Sequence, residues 1–447
     1  MKKLVTFIFH FLVLTIALVS PFMAVATPVS PTINTQTWTK AGNPYIVTSD
    51  CTVPAGQVLT IEPGVQIILG PGVTLKVEGR ILAMGTQAEH IWFKGVSSSN
   101  YWKETFVQET GNGISQFQWC DFQDALNGLH LGSYNNNLIM AAEVSDCTFT
   151  NCTSSGIYGE AVGYYNGWSD YRYPTLSLVI QNCVFTGMFS AALHFKSSGT
   201  HVFVYGKVNP IIRNSIVQNP AGIAFRFEAA SGSGSYQPKL FNNSVIGALK
   251  GIVTQDPYDI VAENNIFSDC AAGIERLGAL NSTNSLGVQH NCFFNNTPAF
   301  VNYPQNYGLI LLTNRNGDPS DLKFNIFLNP NLSDTSGLRL ASNSPCIDAG
   351  NPAPEFNDAT SPPWHRTNIN DIGATGGPNA RFDGPQPPAI TVHDPTALTP
   401  TSVELRAVVS PNGADASGWF EYSTGWDKDS DSNGAQLSHK TLILSYL

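Results

Sequence analysis

Glu160, Lys196 and Arg226 stand at one equivalent point in three successive stretches of this chain, two residues after Tyr158, His194 and Ala224. Cations brought that close repel unless an anion or a nearby carboxylate compensates them, so a uronate or sulfate group is the ligand such a row would take. His194 lies beside the row and Glu228 further along it. The longest insertions leave the same region: 158–174 carries Tyr164, Tyr165, Trp168, Tyr171 and Tyr173, and 196–207 adds Tyr205. Aromatic faces with polar rims suit sugar rings, which offer an apolar face and a hydroxyl edge. The candidate ligand-binding set is therefore Glu160, His194, Lys196, Arg226, Glu228, Tyr165 and Trp168. The blander alternative is a charged strand face under loops that pack on themselves.

A second cluster of oxygen ligands falls near the end. Asp429, Asp431 and Asn433 occupy positions one, three and five of a calcium loop, with Gly434 at the turn position. Lys440 stands at the twelfth position, where a bidentate Glu is expected, so the loop is either a weak calcium site or a plain acidic linker. Calcium is the one cofactor with any support. No CxxC pair, His-rich cluster or HExxH stretch is present to hold zinc.

The elements that must position these residues are repeats. A small or polar anchor followed two places later by a large apolar residue recurs at Cys120, Cys147, Cys183, Ser215, Ser244, Asn265, Cys292 and Asn325. The apolar partners are Phe122, Phe149, Phe185, Val217, Ile246, Phe267, Phe294 and Phe327. Seven to nine residues after an anchor comes Gly or Ala and then an apolar residue, as at Gly128, Gly156, Ala192, Gly222, Gly251, Gly273 and Ala299. Four residues after the anchor, Asp124, Asn151, Asn219, Asp269 and Asn296 are the types that tolerate left-handed backbone. Each unit reads strand, tight turn, strand, loop. Units this short bury a face only by stacking coil on coil. Phe149, Phe185, Phe267 and Phe294 then form an interior row, and Asn182, Asn214, Asn243, Asn264 and Asn291, one before the anchors, are placed for an amide ladder. Cys120, Cys147, Cys183 and Cys292 share the anchor position with Ser and Asn, which favours buried ladder residues over disulfides.

These repeats resemble the right-handed parallel β-helix proteins, the pectate-lyase-like superfamily, over about residues 45–350. The resemblance implies an all-β, right-handed parallel β-helix. The period-two text of 45–93 resembles the first rungs of secreted β-helix proteins, and NSPCIDAGNP (343–352) with DIGATGGP (371–378) resembles a closing segment. The β-helix with its caps is placed at 27–380 and a linker at 381–388. Residues 389–447 resemble the first strands of a fibronectin type III-like sandwich, whose roughly 100 residues the remaining length cannot supply, so it is truncated or completed by other means.

Lys2, Lys3, an apolar run and the Ala24-Val25-Ala26 sequence mark residues 1–26 as a secretory signal, with an uncleaved membrane anchor as the alternative. Removal of that segment takes two Lys and no acid, leaving 21 basic against 33 acidic residues and a net charge of −12. That balance argues against nucleic acid as a partner. The chain is expected to be secreted or on the cell surface, monomeric and without a membrane span after cleavage.

Polysaccharide lyases on this fold pair a calcium-held uronate with an Arg or Lys base, and its glycosidases use clustered Asp residues. Neither constellation stands out, although GIERLG at 273–278 resembles the Glu-x-Arg stretch of some alginate-lyase-like members. The reading therefore favours a protein that binds extracellular, acidic polysaccharide or serves as an adhesive stalk. The alternative is a lyase or hydrolase of acidic polysaccharide.

Overall fold

The structure, a computed structural model, describes residues 26–108, 113–134, 138–167, 170–200, 204–229, 235–236, 238–255, 260–278, 287–333, 339–358, 368–380, 389–396, 404–410, 417–422 and 440–445. Beyond 388 it describes backbone alone. Consecutive strands visit three faces in turn. Cys120–Gln123 lies in the first sheet, Asn127–Tyr134 in the second and Ile139–Ser145 in the third, and Thr148–Thr150 then returns to the first, parallel to Cys120–Gln123. Repetition of this circuit gives three 11-stranded sheets, almost wholly parallel. The early coils alternate as their sequence requires: Val58–Ile61, Gln66–Leu69 and Thr74–Val77 bury every second residue.

The lumen is filled by like residues over like. Phe93, Phe122, Phe149 and Phe185 stack with ring centroids 4.7, 4.9 and 4.9 Å apart and planes within 8° of parallel. Val217 and Val245 continue the column, followed by Phe267 and Phe293, stacked at 5.2 Å. Two positions differ from the repeat alignment. Val245 and Phe293, not Ile246 and Phe294, face the lumen, so the anchors of those coils are Asn243 and Asn291. A one-residue slip exchanges faces in a strand, and Phe294 accordingly turns outward while Phe293 is buried.

The corrected register also moves the amide ladder onto the anchor position. Asn243 Nδ2 donates to Asn265 Oδ1, Asn265 Nδ2 to Asn291 Oδ1, and Asn291 Nδ2 to Asn325 Oδ1, at 2.9, 2.9 and 3.1 Å. The residues before the anchors, Trp119, Asp146, Asn182, Asn214, Asn242, Asn264, His290 and Phe324, are the left-handed corners, with φ between 51° and 61°. A second left-handed corner follows four residues after each of the first seven anchors, at Asp124, Asn151, Gly187, Asn219, Gly247, Asp269 and Asn295; the last of these replaces Asn296.

All eight cysteines are buried free thiols. Cys120, Cys147 and Cys183 occupy the anchor column and donate to carbonyls of their own coil or the preceding one. Cys292 is not in that column. It faces outward into a second apolar cluster with Ile266, Ile326, Cys346, Ala349 and Ile372. This cluster is made by the returning chain, which runs along the outside of the first sheet. There Asn214 Nδ2 donates to the Ala374 and Gly376 carbonyls, and Asn242 Nδ2 to that of Asp371. Phe300, Tyr303 and Tyr307 pack over the last coil. The expected sandwich segment enters as two separate antiparallel pairs, Ala389–Thr396 with Glu404–Ser410 and Ser417–Tyr422 with Lys440–Ser445.

Candidate functional site

The outward face of the second sheet carries the candidate residues. Pairing sets Phe106, His130, Tyr158, His194 and Arg226 side by side on successive strands. The next outward column is Gln108, Gly132, Glu160, Lys196 and Glu228. Rings of the first column touch in series: Phe106 to His130 at 4.4 Å, His130 to Tyr158 at 4.8 Å and Tyr158 to His194 at 5.1 Å between centroids.

Lys196 and Arg226 share this face but are not neighbours in register. Lys196 lies opposite Glu228, and Arg226 lies opposite His194. The cause is the position aligned with Ala192, which is Ala224 and not Gly222, a shift of two residues that keeps the face and changes the column. Nor are the cations uncompensated. Lys196 Nζ is 3.3 Å from Glu160 Oε1, and Arg226 Nε donates to Glu228 Oε1 at 2.6 Å. The anionic ligand inferred from two adjacent, unpaired cations therefore loses that basis.

Glu228 is the junction of this half of the face. Its second oxygen lies 3.0 Å from His194 Nε2. The His194 hydrogen bond, against the opposing effect of burial and with help from the Arg226 charge, holds the Glu228 carboxyl at about 2.

A second half was not singled out from sequence. Glu104 Oε2 stands 3.2 Å from His130 Nδ1, in a contact angled away from a straight hydrogen bond, and accepts from Asn127 at 2.9 Å. His130 Nε2 is 3.1 Å from the Tyr134 hydroxyl, which donates to Glu160 Oε2 at 3.4 Å. Gly132 permits this, because a side chain there would collide with the Tyr134 ring. Burial would raise the Glu104 carboxyl, but His130, Asn127 and Lys103 together hold it below its ordinary range. Burial and the charge of Glu160 push the Tyr134 and Tyr158 phenols upward. Glu104, His130 and Tyr134 line a cavity of about 670 Å³ that also reaches Lys76 and Phe106. Extending the outward alternation one strand toward the N-terminus would have found Phe106. Tyr134 gave no such signal, because its role depends on an empty place at Gly132.

The strand Ser155–Tyr165 continues past the ring column and pairs antiparallel with Tyr171–Arg172. Tyr165 stacks on Tyr171 at 4.7 Å, and the Arg172 guanidinium lies 5.4 Å from the Tyr164 ring centroid. Trp168 falls outside the described residues, as do Asp429, Asp431 and Asn433. Among the described residues no group of three His, Cys, Asp or Glu side chains is placed to hold a metal ion, and no helix is long and apolar enough to cross a membrane.

No curated protein matches the chain. Residues 134–323 match the family described as a right handed beta helix region. The same stacked parallel sheets begin well before that stretch, at Thr27–Pro28, so the described residues from 27 to 301 fold as a right-handed parallel β-helix.

Proposed function

We propose that the protein is exported and binds extracellular polysaccharide along the outward face of the second sheet. The observation that carries this reading is the column Phe106, His130, Tyr158 and His194, with rings about one strand spacing apart beside a rail of carboxylates and cations. A polymer that repeats along the solenoid axis meets a similar ring on each coil, and sugar faces pack on such rings while their hydroxyls bond the rail. Because Lys196 and Arg226 are already paired with Glu160 and Glu228, recognition here rests on ring faces and hydroxyls before net charge. Replacement of Tyr158 by Ala should weaken glycan binding by about tenfold or more, the loss of roughly 1.5 kcal/mol of ring contact. Titration calorimetry on glycans found by array binding tests this. Equal affinity of parent and Tyr158→Ala would leave the stalk role in its place.

One observation favours a second reading, lysis or hydrolysis of an acidic polysaccharide. Glu104, His130 and Tyr134 are three titratable side chains, successively 3.2 and 3.1 Å apart, at the wall of a cavity, the kinds of group that serve as general acid and base. A rise in unsaturated-uronide absorbance or in reducing ends, lost in His130→Ala, would establish the enzyme. Binding without either product favours the binder.

A further inference from the structure

Eight corner residues precede the anchors, and five of them are Asn or Asp, the types that enter left-handed backbone at least cost. Phe324, with Trp119, departs furthest from that preference, a bulky ring held at φ 56°. A strained backbone of this kind persists where something other than local stability maintains it. The Phe324 ring does little for the interior. It is 38% exposed and belongs to neither apolar cluster. It stacks on His290, the preceding corner, at 5.2 Å and 15°.

These two rings form part of the wall of a cleft of about 470 Å³ between the last coil and the returning chain. Arg315 and Thr313 line the same cleft. Among the described residues Arg315 has no carboxylate within 4 Å, although ten other ion pairs are formed. The nearby acids are otherwise engaged: Asp321 accepts from Lys323 and Asn325, and Asp318 from Asn314. The His290 ring nitrogens make no hydrogen bond among the described residues, and burial pushes this imidazole down to about 4, so it is neutral near pH 7 and offers one donor and one acceptor.

We propose that this cleft is a second ligand site, separate from the ring column of the second sheet, and that it takes a sugar ring bearing a carboxylate. The sugar's apolar face covers Phe324, its hydroxyls reach His290 and Thr313, and its carboxylate meets the guanidinium of Arg315. Glucuronate is the probe, with glucose and benzoate as controls, titrated into the whole chain by calorimetry.

Arg315→Ala should weaken glucuronate binding at least tenfold. Phe324→Asn should do the same while leaving the melting temperature unchanged or higher, because Asn suits the left-handed corner better than Phe. A purely structural ring would give the opposite result, a lower melting temperature. Tyr158→Ala should leave glucuronate binding intact, which separates this site from the first. The proposal is overturned by a parent that does not bind glucuronate, by equal binding in Arg315→Ala, or by benzoate and glucose binding as well as glucuronate.

Discussion

At the scale of single residues the face of the second sheet is a set of compensated charges, and Glu228 shows what that compensation does. A carboxylate whose folded pKa is depressed stabilises the fold above its unfolded pKa and loses that contribution as pH falls toward the folded value. For Glu228 the window runs from the ordinary value of about 4.3 down to the folded value, which His194 and then Arg226 hold at about 2. Glu228→Gln cannot make this contribution. The gap in melting temperature between parent and variant should therefore be full above about pH 5 and close as pH falls toward 2. Thermal unfolding across that range measures it, and a gap that stays constant would show that Glu228 has no depressed pKa. The residues around it were half legible: alternation put Glu160, His194, Lys196, Arg226 and Glu228 on one face, where they are. It did not give the pairing of charge with charge, which depends on a two-residue difference in where a corner ends.

At the scale of the strand and turn, one rule ties the first sheet to the second. From Phe149 to Phe293, where the lumen column holds Phe the equivalent residue of the preceding coil is Gly, and where it holds Val that residue is Ala. Gly128 precedes Phe149 and Gly156 precedes Phe185, whereas Ala192 precedes Val217 and Ala224 precedes Val245. Gly251 and Gly273 then precede Phe267 and Phe293. The reason is contact. A Cβ at Gly156 would stand 2.7 Å from the Phe185 ring, and one at Gly251 would stand 2.5 Å from that of Phe267. The rule stops short of both ends: Thr74 and Glu104 precede Phe93 and Phe122, and Ala299 precedes the half-buried Phe327. Gly156→Ala should thus cost about 1–3 kcal/mol by overpacking, and Phe185→Val a similar amount by leaving a void. Together they recreate the Ala192 and Val217 arrangement, so the double variant should be more stable than the sum of the two costs predicts. Strictly additive losses in denaturant unfolding would refute the steric link. The repeat was legible from types alone because stacking demands like over like. It slipped at Ser244 and Cys292 because Asn243 and Asn291, which hold the ladder, sit one residue away from small residues that look equally fit as anchors. An amide and a thiol of similar size read alike until the hydrogen-bond partner is known.

At the scale of the whole molecule, a solenoid is only as secure as its ends and flanks, since each coil contacts only its neighbours and an uncovered strand edge invites pairing. The returning chain meets part of that need from the side. It buries Ile266, Cys292 and Ile326 under Cys346, Ala349 and Ile372. It also uses corners that would otherwise face water: Asn214 and Asn242 donate to its carbonyls, and Asn264 accepts from the Asn351 amide. The sequence marked 343–352 and 371–378 as a closing segment. It did not reveal that this segment runs back over five coils, from that of Ile326 to that of Asn214, because the signal for that docking is an Asn in a left-handed corner, a residue the turn would favour anyway. Two shortened chains separate the contributions. A chain ended after Ala380 keeps the returning segment and should melt near the parent temperature, whereas one ended after Ser333 loses it. The shorter chain leaves three buried apolar side chains exposed and strips three corner amides of their partners, a loss of about 1 kcal/mol for each hydrogen bond in addition to the apolar area. It should melt well below the 380-residue chain and associate in solution, as light scattering would register. If the two chains melt together and both remain monomeric, the returning segment is an ornament on a solenoid that closes itself.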